Sequence, residues 1–477
     1  MPLLRFIGPS GSHRLRPRQS NFSIVTHVLV ALLSFVLQPS LTAAFAAETD
    51  ARPNIVFIMV DDMGYGDLPA YGAKDVRTPH LDQFAAQGVR LTNYYAAGAE
   101  CTPTRTALLS GLYPQRIGGM ECAIGTGNVG RYDDAIRLRE SHDLGLPADQ
   151  SVLASSLKKT GYRTAVFGKR HLGYEPKHNP LNHGFDQFFG FLGGYVDYYR
   201  HREFSELDVL FAGRQPVKAK GYMTGLITDR AVTFVEQSPA ADPFFLYVAF
   251  SVPHFPFQPP GSGTGRMVAK ENLTKGTRKN YVAMLEDMDR EVGRILNSLQ
   301  ARGLTNNTLV VFASDHGAIM PGSNAPFRGF KSGLFEGGIR TACMMRWPGR
   351  LPAGVVSDQP AITMDLTTSF IRAGSGKTPA GYKSDGLDIV QHLSEEKPNL
   401  ARTLGWRAKR GDRVWRAIRH GHWKHVTRLE EGKTEQWLFN LKSDPAEQTN
   451  QSASHPRRAA ELANLLSKWE AETKHTR

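Results

Sequence analysis

The chain has 477 residues, 41% of them hydrophobic and 22% charged, with a formal net charge of +13. That length and balance describe a globular chain with ample material for a large buried core, enough for one large domain plus a smaller one. No Lys/Arg block, zinc-finger spacing or aromatic-basic array appears, which leaves nucleic-acid binding unsupported, and three cysteines are too few for a disulfide scaffold.

The chain opens on Arg5, Arg14, Arg16 and Arg18, then an apolar stretch from Ile24 to Leu37, then Ala44-Phe45-Ala46 as an A-x-A cleavage site. This order reads as a secretory signal peptide over residues 1–46, too short in its apolar part to span a membrane. The expectation is an exported protein, periplasmic or secreted, with no stable membrane anchor after cleavage and a leader of bacterial style. The leader carries four arginines and no acid, so its removal lowers the net charge from +13 to +9. A basic exported protein attracts anionic partners by steering.

Asn54 to Val60 (NIVFIMV) is continuous, apolar and rich in β-branched residues, as a buried parallel strand is, and it stops at Asp61-Asp62. Further on, Cys101-Thr102-Pro103-Thr104-Arg105 places a cysteine beside a basic residue, either an ordinary buried thiol or a thiolate nucleophile. Ser151 to Thr160 carries Val152, Leu153 and Leu157 on one helical face, with Gly161 as a stop. Arg163 to Phe167 is a second apolar strand, ending in Gly168-Lys169-Arg170-His171. Pro243 to Phe250 is a third, leading to Pro253-His254. Tyr281 to Leu299 repeats apolar residues at helical spacing before Gly303, and Leu309 to Ala313 is a fourth strand, leading to Asp315-His316-Gly317.

Four strands thus deliver polar residues at their carboxyl ends, the edge where open α/β sheets bind ligands. Helices alternating with such strands predict an α/β fold, a large doubly wound, mixed and mostly parallel sheet flanked by helices. After about residue 400 the texture changes to short strand-like pieces, Thr403 to Trp406, Val414 to Ile418, Trp423 to Thr427 and Glu435 to Leu441. A last helix follows from Arg457 to Trp469. The expected division is a catalytic domain over 47–399 and a small antiparallel sheet plus helix over 400–477. Pro259 to Gly265 and Pro321 to Pro326 read as surface loops rimming a cleft, and Gly125 to Leu146 and Arg200 to Lys220 as loops on which the choice of substrate depends.

Asp61, Asp62 and Asp315 are hard oxygen donors suited to a divalent cation such as calcium, and a nitrogen from His316 would admit manganese. The cysteine pentapeptide resembles the C-x-P-x-R signature of the type I sulfatases, a family of the alkaline phosphatase superfamily. The resemblance extends over Val60 to Asp67, Thr78-Pro79-His80-Leu81-Asp82, Gly168 to Gly173, and Arg328 through Arg340, in the family's order. It reaches arylsulfatase-like and N-acetylgalactosamine-6-sulfatase-like members in Asn182 to Gly190 and in Leu438-Phe439-Asn440-Leu441 with Asp444-Pro445.

The resemblance implies an alkaline-phosphatase-like fold and a sulfuric ester hydrolase acting on a sulfated small molecule or, by the last two segments, a sulfated glycan. It implies that Cys101 is oxidised to formylglycine by a formylglycine-generating enzyme. Asp61, Asp62, Asp315 and His316 would hold the metal together with residue 101. Arg105 would fix the hydrated aldehyde, while Lys169, Lys331 and His254 would bind substrate. A hydroxyl of the hydrate would attack sulfur while Asp315 accepts or aligns its proton. His254 would protonate the departing oxygen, and His171 would deprotonate the second hydroxyl to expel sulfate.

The sequence departs from the family in three places. His316 stands where asparagine is common, Arg170 where many relatives carry tryptophan, and Thr104 for serine. Asp315-His316 also keeps open a phosphonate monoester or phosphodiester hydrolase of the same superfamily. A noncatalytic binder of sulfated polymer is disfavoured because Lys169, His254 and Lys331 are all present. Cys122 and Cys343 are left to pair or to remain free.

Overall fold

Asn54–Val60 is apolar on both faces because both faces are covered. In a computed structural model describing residues 52–203, 209–263 and 266–475, every residue of strand β1 (Asn54–Asp61) is buried. Ile55, Phe57 and Met59 face one core, and Val56, Ile58 and Val60 face the other. Each such side chain contributes about 1.5–3 kcal/mol by leaving water. The predicted leader lies outside the described residues, as does the end of the 259–265 stretch.

The other strands follow in chain order as β2 (Val89–Leu91), β3 (Tyr94–Tyr95), β4 (Arg163–Lys169), β5 (Gln187–Phe191), β6 (Leu210–Ala212), β7 (Gln215–Pro216), β8 (Phe244–Pro253), β9 (Thr308–Ser314), β10 (Cys343–Arg346), β11 (Val355–Ser357) and β12 (Ala361–Ile362). Ten of them form one sheet in the order β11-β2-β10-β9-β1-β8-β4-β5-β6-β7. Its centre is parallel, with β1 between β8 and β9 and with β4 between β8 and β5. The antiparallel pairs, β9–β10, β10–β2, β5–β6 and β6–β7, lie toward the edges. The sheet is therefore mixed and mostly parallel at its core, as predicted.

Helices cover both faces. Cys101–Ser110, Val152–Lys159 and Thr363–Ser375 pack on the Phe57 side, through residues such as Leu108, Leu157 and Phe370. Pro79–Ala86, Met223–Glu236 and Arg278–Ala301 pack on the Ile58 side, through Phe84, Ile227 and Met288. The long helix begins at Thr277, whose side chain accepts from the Asn280 N–H, an N-cap that ends fraying at that terminus.

Strands β13 (Thr403–Arg410), β14 (Arg413–His420), β15 (Trp423–Glu430) and β16 (Lys433–Asn440) form an antiparallel meander. The closing helix, Pro456–Glu472, packs Leu462, Leu466 and Trp469 against it in a third core shared with Tyr95, Ala107 and Ile339. Every predicted strand of this meander is longer in the structure, because the two-residue turns between them sit at Gly411, Gly421 and Gly432. The stretches expected as loops over 125–146 and 200–220 are corrected in part. They contain the helix Asp133–Glu140 and strands β6 and β7. Cys101, Cys122 and Cys343 are all buried and free, so the open question of a Cys122–Cys343 pair is answered against pairing.

Candidate active site

Parallel register brings the four strand ends to one place. Val60 of β1 is paired with Ser314 of β9, and Asp61 with Pro253 of β8. Asp61, Asp62, His254, Asp315 and His316 therefore follow one another across a single sheet edge. Beside them β4 runs two residues beyond its predicted end, so that Lys169 is its last residue. Gly168 permits this: a side chain there would meet the Ala249 carbonyl oxygen at 1.9 Å, and its φ of +117° is left-handed. Asp62 and His171 also hold positive φ, at 64° and 52°, a cost tolerated where surrounding contacts fix the residue.

Cys101 is the first residue of its helix and is 1% exposed. Its sulfur is surrounded. Lys169 Nζ lies at 3.1 Å, His316 Nε2 at 3.2 Å, Asp61 Oδ1 at 3.4 Å and Lys331 Nζ at 3.7 Å. Burial and Asp61 push the thiol pKa up, but Lys169, Lys331 and His316 outweigh them and bring it below the ordinary value. The bland alternative of an inert buried thiol does not fit such surroundings.

The carboxylates are held by three cations. Lys169 Nζ contacts Asp61 Oδ2, and Lys331 Nζ donates to Asp62 Oδ1 at 2.6 Å. Arg105 donates twice to Asp315 Oδ2, from Nε at 3.2 Å and Nη2 at 3.0 Å, and once to the Lys169 carbonyl at 3.1 Å. Burial raises the Asp61 pKa, but Lys169, His254 and Arg105 hold it well below the carboxylate range. Asp315 goes the other way. Burial and the neighbouring Asp61 push it up to about 6 despite His316 and Arg105.

Asp61, Asp62, Cys101 and His316 each present a ligand atom within 4.8 Å of the others, and Asp62 Oδ2 is buried without a hydrogen-bond partner. An orphaned buried carboxylate oxygen among three further donors fits a divalent cation. Asp315, also predicted as a ligand, stands just outside that group, its Oδ2 taken by Arg105 and its Oδ1 3.4 Å from His316 Nε2. Burial lowers the His316 pKa, but Asp315 and Cys101 raise it to about 9, so a cation arriving there displaces a proton.

Two histidines complete the set. His254 is 4% exposed, its Nδ1 is 2.8 Å from the Phe255 carbonyl, and its Nε2 is 3.7 Å from Asp62 Oδ2. Burial pulls it down to about 3, with Asp62 opposing and Lys331 reinforcing, so it is neutral near pH 7 and Nδ1 donates. His171 is also held well below its ordinary pKa, by burial and Lys169. Its Nε2–H donates to the Ile124 carbonyl at 2.7 Å, which leaves Nδ1 as an unpartnered lone pair. Thr102 of the motif locks this histidine, donating to the His171 carbonyl at 3.0 Å while accepting from the Ile124 N–H at 3.1 Å.

The structure thus brings every predicted site residue into one cluster. Arg170 is buried behind it, at 2% exposure, with Tyr247 and Arg105 as its electrostatic neighbours, and burial draws it down to about 9. Thr104 donates to the Gly98 carbonyl at 3.0 Å, which holds the turn before the helix. Sequence reasoning missed Glu100, Ser332 and Arg410. Glu100 adjoins the motif, but nothing local marks a residue of β13 as its partner.

Residues 53–376 match the sequence model of the sulfatase family, described as Sulfatase. The chain is 34% identical over 375 residues to the N-acetylgalactosamine-6-sulfatase of Rattus norvegicus, covering 74% of this chain and 68% of that protein. Among solved structures it is similar to Ps i-CgsB in complex with k-i-k-neocarrahexaose, with a TM-score of 0.76, 28% identity, and coverage of 88% of this chain and 93% of that one. The phosphonate monoester hydrolase of Agrobacterium radiobacter shares the fold at a TM-score of 0.62 and 20% identity, covering 88% of this chain and 96% of that one. On these matches the chain belongs to the sulfatase family and is a sulfuric ester hydrolase of the alkaline phosphatase superfamily.

Proposed function

We propose that the chain releases sulfate from a sulfated carbohydrate, with Cys101 carried as formylglycine and a divalent cation, calcium or manganese, held beside it. The observation that carries the reading is the position of Cys101 Sγ, within 3.7 Å of Lys169, His316 and Lys331 and beside Asp61. That sulfur is the atom an oxidation to formylglycine replaces by oxygen. The preference for a carbohydrate rests on the names of the rat enzyme and of the neocarrahexaose complex.

When present, the hydrated aldehyde supplies the attacking hydroxyl and the cation supplies charge against a sulfate oxygen. Lys169 and Lys331, at 3.1 and 3.7 Å from Cys101 Sγ, bind the other sulfate oxygens. Arg105 keeps Asp315 oriented as proton acceptor, and the raised pKa of Asp315 makes it a better base than an ordinary carboxylate. His254 presents Nε2 to the departing oxygen. It takes up the proton it donates as the anionic ester adds to its surroundings, with Asp62 at 3.7 Å favouring the charged form. The free Nδ1 of His171 is the base for the second hydroxyl. The catalytic residues proposed are Cys101, Arg105, Lys169, His171, His254 and Lys331, and the metal ligands Asp61, Asp62, Asp315, His316 and residue 101.

The leader over 1–46 makes export the proposed destination, and formylglycine at Cys101 makes a formylglycine-generating enzyme the partner in maturation. The Asp315-His316 pair and the Agrobacterium fold relative favour phosphonate or phosphodiester hydrolysis as the second reading. Mass spectrometry of the 101–105 peptide is expected to show the aldehyde or its hydrate. Cys101→Ala is expected to abolish turnover, by 10³-fold or more on the order seen for lost nucleophiles, with folding intact. Near-normal activity of that variant would end the formylglycine reading, and a large kcat/KM preference for phosphate over paired sulfate esters would favour the second.

A further inference from the structure

Lys331 has a flexible four-carbon stem, so its placement depends on its backbone. That backbone is pinned on both sides. Its own N–H donates to the Ala318 carbonyl at 3.1 Å, and the next N–H, from Ser332, donates to the Ala99 carbonyl at 2.8 Å. Ser332 is held at a φ of +71°, which a non-glycine residue adopts only when neighbours enforce it. Glu100 is one of those neighbours. The Ser332 hydroxyl donates to Glu100 Oε1 at 2.5 Å.

Glu100 precedes the nucleophile position and is 3% exposed. Its Oε2 accepts from the Ala123 N–H at 2.6 Å and from Arg410 Nη2 at 3.1 Å, and Arg410 also lies 2.9 Å from Oε1. One carboxylate therefore joins three parts of the molecule: the turn carrying Lys331, the helix start carrying Cys101, and β13 of the meander, which supplies Arg410.

We propose that Glu100 is a positioning residue that sets Lys331 against the sulfate group through Ser332. The proposal rests on the sulfatase reading of Lys331. A plainly structural role, anchoring β13 through Arg410, predicts that losing Glu100 destabilises the protein without acting through Lys331. Positioning predicts the opposite coupling, since a displacement of about 1 Å at a binding group costs up to 10²-fold in rate.

The test is a double-mutant cycle on formylglycine-bearing enzyme, with each preparation normalised to its aldehyde content by mass spectrometry because Glu100 adjoins the modified residue. Glu100→Gln, Ser332→Ala, Lys331→Ala and the two double variants are compared. Affinity for inorganic sulfate is read by calorimetry, and KM and kcat are measured on a sulfate ester. Glu100→Gln and Ser332→Ala are each expected to weaken sulfate binding and raise KM about tenfold, and both effects should shrink below about twofold in the Lys331→Ala background. Ser332→Ala, which leaves the Glu100–Arg410 pair intact, should do this without lowering Tm. Equal losses with and without Lys331, or unchanged sulfate affinity in both single variants, would overturn the proposal alone. A wild-type enzyme carrying the aldehyde that neither binds sulfate nor turns over the ester would overturn the sulfatase reading of Lys331 and the proposal with it.

Discussion

Among the buried groups of charge in the described residues, two are finished differently. Beneath the meander, Glu336 Oε1 meets Lys424 Nζ at 2.8 Å, and Glu336 Oε2 accepts from the Tyr95 hydroxyl at 2.6 Å and from Arg340 at 3.2 Å. Arg419 donates to the same Tyr95 hydroxyl, at 2.5 Å. Glu447 closes the cluster by accepting the Glu336 N–H through Oε2 at 2.5 Å. Its Oε1 lies 2.9 Å from Lys424 Nζ as an ion pair, out of line for a hydrogen bond. At the strand ends, by contrast, Asp62 Oδ2 lacks a hydrogen-bond partner and has the His254 ring at 3.7 Å where Glu447 Oε1 has an ammonium at 2.9 Å, and four ligand atoms face one another. A cluster that closes on itself holds two layers together. A cluster with an open valence is built around something that arrives later.

The largest expected effect breaks the closed cluster. Lys424 is fully buried, so Lys424→Met strands Glu336 and Glu447 without their shared cation. Removing one partner of a buried ion pair costs about 3–5 kcal/mol, and urea denaturation should show a loss of that size with kcat per folded enzyme retained. A loss under about 1 kcal/mol would mean that the network is not what holds the meander in place.

The next effect belongs to the open cluster and sharpens the contrast, because it changes chemistry and spares stability. His254→Ala should lower kcat/KM about 10²-fold for alkyl or sugar sulfates and under tenfold for activated aryl sulfates, whose leaving groups need little protonation. Equal losses across leaving groups would remove His254 as the acid. The difference between the two substrates, not the size of either loss, is the informative quantity.

The two clusters also differ in how far the sequence reveals them. The open one is written in strand ends. Each apolar run stops at a carboxylate, lysine or histidine, and parallel pairing then carries those residues to one edge with no further information needed. The closed one is invisible locally, because Glu336, Lys424 and Glu447 come from a short helix, a strand and a turn far apart in the chain, each an ordinary charged residue in its own segment. The same holds for Arg410 on Glu100. The helix at Cys101–Ser110 is also concealed, since Pro103 and three threonines hide its periodicity, although Pro at the third position suits a first helical turn.

The smallest effect tests whether the closed cluster keeps two charged carboxylates or trades one for a proton. Burial and the neighbouring Glu336 push Glu447 up to about 7 in spite of Lys424, while Lys424, Arg340 and Arg419 overcome burial and hold Glu336 down at about 2. A carboxyl raised in the folded state favours folding most below its unfolded pKa of about 4.5, and that contribution is lost as pH rises through about 7. Wild-type stability should therefore fall by about 2 kcal/mol relative to Glu447→Gln between pH 5 and pH 8, since glutamine keeps an acceptor for the Glu336 N–H and does not titrate. Parallel pH–stability curves for the two proteins would show that Glu447 stays ionised, with Lys424 balancing its charge while Arg340 and Arg419 offset Glu336.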